Sequence, residues 1–204
     1  MNTKQSSVVP HREHELVITE IRKWVQHAVI GLNLCPFAKA VHTKERIRYV
    51  VSDASDPERL CEDLCRELQM LHTSNPAQIE TTLLVHPHVL NDFLDYNDFL
   101  DVADAIIEDM HLAGEIQIAS FHPNYQFAGT SADAVENYTN RSPYPMLQLL
   151  RESSIEAAAA SYPDASEIYE RNIETLHALG MSGLRDLGVF KLAEQIEAAN
   201  KPKK

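Results

Sequence analysis

Cys35, His122 and Arg141 are the side chains whose type and sequence surroundings suit chemistry. Cys35 stands before Pro36 and Phe37, with Lys39 and His42 close by. A neighbouring cation lowers a thiol's pKa and turns it into a nucleophile. A Cys-Pro pair can also offer its thiolate to haem, and a buried, inert cysteine is the plain alternative. An imidazole such as His122 titrates near neutral pH, which suits it to general acid or base work. Arg141 lies in NYTNRSPYP, where Ser142 reads as a helix N-cap and Pro143 as the first helical residue. Free N–H groups at such a helix start, with a guanidinium beside them, would receive a carboxylate or phosphate. Alternatively, Arg141 pairs with Asp133 or Glu136 and only fixes the loop.

Asn124, Tyr125, Asn137, Asn140, Ser142 and Tyr144 surround these groups in sequence and form the expected ligand-contacting set. The asparagines could equally satisfy loop backbone. Two predicted strands end in His-Pro, at His86 and His122, and His88 follows closely. Proline keeps the preceding residue extended, and neighbouring strands lie about 4.8 Å apart, so His86, His88 and His122 are a candidate zinc or iron set. Against it, no carboxylate partner and no HExxH pattern are evident, and the histidines could simply cap strand ends on loop carbonyls. Cys61 and Cys65 lie four apart beside a leucine stripe and read as core thiols.

The elements that must position these groups follow from periodicity. Residues 1–13 read as a flexible leader and 14–200 as one globular domain. A helix runs from about Glu15 to Gly31, with Ile21, Trp24, Val25 and Ala28 at helical spacing. Strands are expected at Arg46–Ser52, Ile79–Val85 and Glu115–Phe121, separated by a helix carrying Leu60, Leu64, Leu68 and Leu71 and another over about Tyr96–Leu112. This order predicts an α/β fold, with α+β as the alternative: a small, mainly parallel three-stranded sheet with helices mostly on one face. Residues 143–200 are expected to be helical, ending in an amphipathic helix from Leu187. Arg151 and Glu152 read as a structural ion pair or as surface charges. Ligands of open parallel sheets sit beyond the strands' carboxyl ends, which places the cleft at His86 and His122.

The chain has 204 residues, 44% of them apolar, and a net charge of −12. Its length supports a real core without disulfides or structural metal. The charge argues against nucleic acid and anionic membrane as general partners. No apolar run reaches the roughly 20 residues of a spanning helix, and MNTKQSSVVPHREHE lacks a signal core. A cytoplasmic protein with reduced thiols is expected.

GLNLCPFAKAV, TTLLVHPHVLNDFLDYNDFL, QIASFHPNYQFAGT and NYTNRSPYPMLQLLRES resemble the DUF1415 family, bacterial proteins of about this size without an assigned function. The resemblance spans most of residues 16–180. It implies a soluble, intracellular, single-domain protein and no catalytic assignment. It also implies a histidine at the position of Gln148 and an acidic pair at Asp133-Ala134, so this chain departs from the family pattern at both.

The leading expectation is a small-molecule enzyme. An anionic substrate would sit on Arg141 while His122 moves a proton and Cys35 attacks, as in a thiol/histidine-dependent hydrolase or transferase, or an oxidoreductase. The alternatives are a metal- or haem-binding redox protein, and a non-catalytic binding or scaffold protein. The late helices, with Ile155, Ile168, Ile173, Leu176 and Leu179, would cover the sheet or form a homo-oligomer face. The residues leave the cofactor undetermined.

Overall fold

A computed structural model describes residues 8–160 and 166–190. Helix α1, Val8–Trp24, carries Val17, Ile21 and Trp24 on one buried stripe. Pro10 falls in its first turn, where its missing N–H costs nothing. Residues 8–13 of the expected leader are therefore helical, and residues 1–7 lie outside the described residues. α1 runs on into a π-helical segment, Val25–Ile30, that ends at Gly31. A Cβ on Gly31 would stand 2.2 Å from the His27 carbonyl oxygen, so the glycine is sterically required. Next come α2 (Ala38–Thr43), β1 (Ile47–Val51), α3 (Pro57–Thr73), β2 (Thr81–Val85), α4 (Phe93–Asp109) and β3 (Ile116–Phe121). Asp56 and Asp92 cap α3 and α4 through their carboxylates.

The expected sheet needs correcting. Met146–Arg151 is a strand, β4, and it pairs between β2 and β3. The sheet is four-stranded, order β1-β2-β4-β3. β1 and β2 are parallel, whereas β4 runs antiparallel to both of its neighbours. MLQLLR is apolar on both faces because the strand is central and covered from both sides. Such a run carries no period to separate strand from helix. Helices follow only from Glu152, as α5 (Glu152–Ala160) and α6 (Ser166–Leu187). α6 breaks at Gly180, where φ is 60°. Of the amphipathic helix expected from Leu187, residues 191–204 lie outside the described residues.

The helices also cover both faces, not mainly one. Leu84, Leu147, Leu149 and Ile116 pack with the α3 leucines and with Phe99, Ala103 and Ile107 of α4. On the opposite face Leu83, Val85 and Met146 meet α1 and Leu176 and Leu184 of α6. Leu60, Leu64, Leu68 and Leu71 are fully buried, each contributing about 2 kcal/mol. The long loop from β3 to β4 leaves the sheet at the end where β1 and β2 also terminate.

Candidate functional site

Residues 122–145 connect β3 to β4, and the loop is tied down at each turn. Asn140 accepts the His122 N–H at 3.2 Å through its carbonyl, and its side-chain amide donates to the Ser120 carbonyl at 3.1 Å. Asn137 is fully buried. Its side-chain oxygen accepts from the Phe127 N–H at 3.0 Å and the Thr130 hydroxyl at 2.9 Å, and its amide donates to Ser131 O at 2.8 Å. A 3-10 turn, Val135–Thr139, carries it. Ser142 is no helix cap, because the chain enters β4 and not a helix; its hydroxyl donates to the Tyr144 carbonyl at 2.7 Å. The anion-receiving helix start expected there does not exist. Tyr144 donates its hydroxyl to Glu20 at 2.7 Å, tying the loop to α1.

His122 is buried and fully bonded. Its Nδ1 accepts from the Asn124 N–H at 3.0 Å, which fixes the proton on Nε2, 3.2 Å from the Leu90 carbonyl oxygen. Leu90 holds a left-handed backbone, φ 56°, at a cost of about 1–2 kcal/mol. Burial lowers the His122 pKa to about 4 against the opposing pull of the Leu90 carbonyl, and the Arg141 charge lowers it further. At neutral pH this imidazole is uncharged and holds the strand end to the β2–α4 connection, so it carries no free proton-transfer position.

His86 is buried too, and burial lowers its pKa to about 4. Its Nδ1 meets the Val89 carbonyl oxygen at 3.0 Å, and its Nε2 has no hydrogen-bond partner among the described residues. Tyr96 stands between the two histidines, with ring centroids 5.8 Å from His86 and 5.1 Å from His122. The Tyr96 hydroxyl donates to Met146 O at 2.8 Å and accepts from Phe121 N–H at 3.0 Å, clasping β3 to β4. His88, by contrast, is exposed and faces Glu13 at 3.4 Å. The metal set His86, His88 and His122 is thus corrected: no group of three ligating side chains able to hold a metal occurs among the described residues.

Arg141 donates through Nε to the Tyr125 carbonyl at 3.2 Å and through Nη2 to the Ala132 carbonyl at 2.6 Å. Its guanidinium carbon lies 4.6 Å over the Tyr138 ring. Neither Asp133 nor Glu136 pairs with it. Glu136 lies 3.6 Å from His177, and the Asp133 carboxyl is lowered chiefly by the Ser131 hydroxyl, with a smaller contribution from the Arg141 charge. No carboxylate among the described residues reaches Arg141 within the 4.0 Å of an ion pair. Arg151, expected in an ion pair or as a surface charge, instead caps the end of α3, donating to the Ser74 carbonyl at 2.8 Å.

His122 and Arg141 thus lie on one loop, where His122 senses the Arg141 charge, whereas Cys35 is bonded to neither. Cys35 is half-buried after the π-helical segment; its N–H reaches the Val29 carbonyl at 3.5 Å. No hydrogen bond or ion pair among the described residues links it to His122 or Arg141. Of the six expected ligand-contacting residues, Asn137, Asn140, Ser142 and Tyr144 spend their side chains on the protein. The Asn124 and Tyr125 side chains make no hydrogen bond among the described residues. Phe93, Tyr96 and Phe127, which sequence reasoning passed over, supply most of the ring surface around them. Their only sequence signal was aromatic residues flanking a polar loop.

Over residues 16–186 the chain matches the family described as a protein of unknown function (DUF1415), and it belongs to that family. No curated protein and no solved structure matches it.

Proposed function

We propose that this member of the DUF1415 family binds a small anionic molecule on the β3–β4 loop, with Arg141 as the receiving charge. One observation carries the reading. Arg141 is held in place by two backbone carbonyls and an aromatic face, yet no carboxylate among the described residues closes an ion pair with it; Asp133, fully exposed to solvent, feels its charge without reaching it. In a chain of net charge −12, an arginine left without an acidic partner inside an ordered loop is a positive charge held for something else. The guanidinium is also preorganised, so little side-chain entropy is lost when a ligand arrives. Tyr125, whose carbonyl Arg141 holds, and its neighbour Asn124 have side-chain polar groups without hydrogen bonds among the described residues.

The reading is one of binding. His122 is neutral and bonded at both nitrogens, and Cys35 makes no hydrogen bond to His122 or Arg141 among the described residues. The test titrates inorganic phosphate into the protein at constant ionic strength and follows the thermal midpoint. A specific site raises stability by RT ln(1 + [L]/Kd), about 2.7 kcal/mol at a hundredfold excess over Kd, and the midpoint rises with it. Arg141→Gln should abolish the rise. An equal rise in the variant would refute the assignment.

A further inference from the structure

We infer that the anion received at Arg141 is an aromatic one, an aryl phosphate or aryl carboxylate whose ring lies against Tyr125, Phe127 and Tyr169; this rests on the anion-binding reading. The rings form a continuous row. From buried Tyr96 it passes through His122 to Phe93 (5.5 Å between centroids), then to Tyr125 (5.3 Å), Phe127 (5.0 Å) and Tyr169 (6.2 Å). Helix α4, the β3–β4 loop and α6 each contribute to it, so the row is a product of the tertiary fold. Its inner members are core. Its outer members are not: Phe93, Tyr125 and Phe127 are half-buried, and Tyr169 is 49% exposed. Half-exposed rings held edge to face present apolar area with fixed orientation, which suits a planar guest.

The charge adjoins the row through the backbone of Tyr125. Arg141 Nε bonds the carbonyl of Tyr125 itself, 3.2 Å away, so the guanidinium and the ring row share one residue. The row and a guanidinium without an ion-pair partner among the described residues are independent observations, and together they define an amphipathic guest: one flat apolar end, one anionic end. A bare inorganic anion would use only the charge. The Tyr125 hydroxyl and the Asn124 amide, both without hydrogen bonds among the described residues, are polar groups left to offer a guest.

The experiment compares inorganic phosphate with phenyl phosphate by calorimetric titration of the full chain, and repeats both with Tyr169→Ser and Tyr125→Ala. Phenyl phosphate is expected to bind at least tenfold more tightly than phosphate. Tyr169→Ser, a change at an exposed position that leaves folding intact, should reduce that advantage at least threefold with phosphate affinity unchanged. Tyr125→Ala should reduce it further. Equal affinity for the two probes overturns the aromatic inference and leaves the anion site standing, as does an advantage untouched by Tyr169→Ser. Absence of binding by either probe overturns both.

Discussion

The indole N–H of Trp24 donates to the carbonyl oxygen of Arg141 at 3.0 Å, joining residues 117 positions apart. The same indole meets Phe121 edge to face at 5.4 Å. The first helix therefore holds both ends of the β3–β4 loop, at the last residue of β3 and at the arginine. Trp24→Phe keeps most of the packing and removes the donor, leaving a partly buried carbonyl unpaired. The expected cost is about 1–2 kcal/mol in global stability. Phosphate affinity at Arg141 should fall as well, because the arginine's backbone anchor is gone. Chemical denaturation and calorimetry read the two effects separately, and unchanged affinity would detach Trp24 from the site.

His86 and His122 make stability acid-sensitive. Both are neutral in the fold with pKa values of about 4, against about 6.5 in the unfolded chain. The unfolded state therefore binds more protons, and their contribution is complete above pH 6.5 and drains away as pH falls towards 4. Between pH 6.5 and 5 each histidine should remove about 2 kcal/mol, a window in which most carboxylates remain charged. His86→Phe, which can keep the stack on Tyr96, should roughly halve the slope in urea unfolding measured across that window. A slope identical to wild type would mean that His86 is not buried as a neutral group.

How much of this was legible in the sequence depended on the length and polarity of each segment. The α3 leucines and the strand over residues 47–51 carried clear periods, and tertiary packing had nothing to override. MLQLLR did not, since a central strand buried on both faces shows no alternation. That one misreading removed β4 from the sheet, and it also placed a helix start at Ser142 that the chain does not have. The importance of His122 and Arg141 to the loop was visible, but their bonding partners were not. Leu90, Tyr125 O and Ala132 O are contacts of shape, set by where the loop folds back and not by residue type.

The Arg48–Glu67 pair links β1 to α3. Arg48 donates through Nε at 2.7 Å and Nη2 at 3.2 Å to a carboxylate that is only 3% exposed. The hydrogen bond to Glu67 raises the Arg48 pKa. Arg48→Met should cost about 3 kcal/mol by stranding a buried carboxylate, at the lower end of such losses because Arg66 stands 3.9 Å from the same group. Adding Glu67→Leu should recover most of that loss, since two apolar side chains can replace a buried pair at little net cost. A double variant no more stable than Arg48→Met would show that the pair's geometry, and not its charge burial, matters.

Asn137 is the residue on which loop order rests. One buried side chain serves Phe127 N–H, the Thr130 hydroxyl and Ser131 O, while its backbone carbonyl accepts from both Asn140 and Arg141 N–H at 3.1 Å. Asn137→Ala leaves the half-buried Phe127 N–H without its acceptor and the Ser131 carbonyl without its donor, at about 1 kcal/mol each. The β2 amides lie in the centre of the sheet and do not depend on it. Hydrogen exchange should therefore accelerate at Phe127 by two orders of magnitude or more, with far smaller changes over Thr81–Val85 beyond the shift in global stability. Because Arg141 depends on the same turn, phosphate binding should weaken in parallel. Retained protection at Phe127 in the variant would contradict the role assigned to Asn137, whatever happened to overall stability.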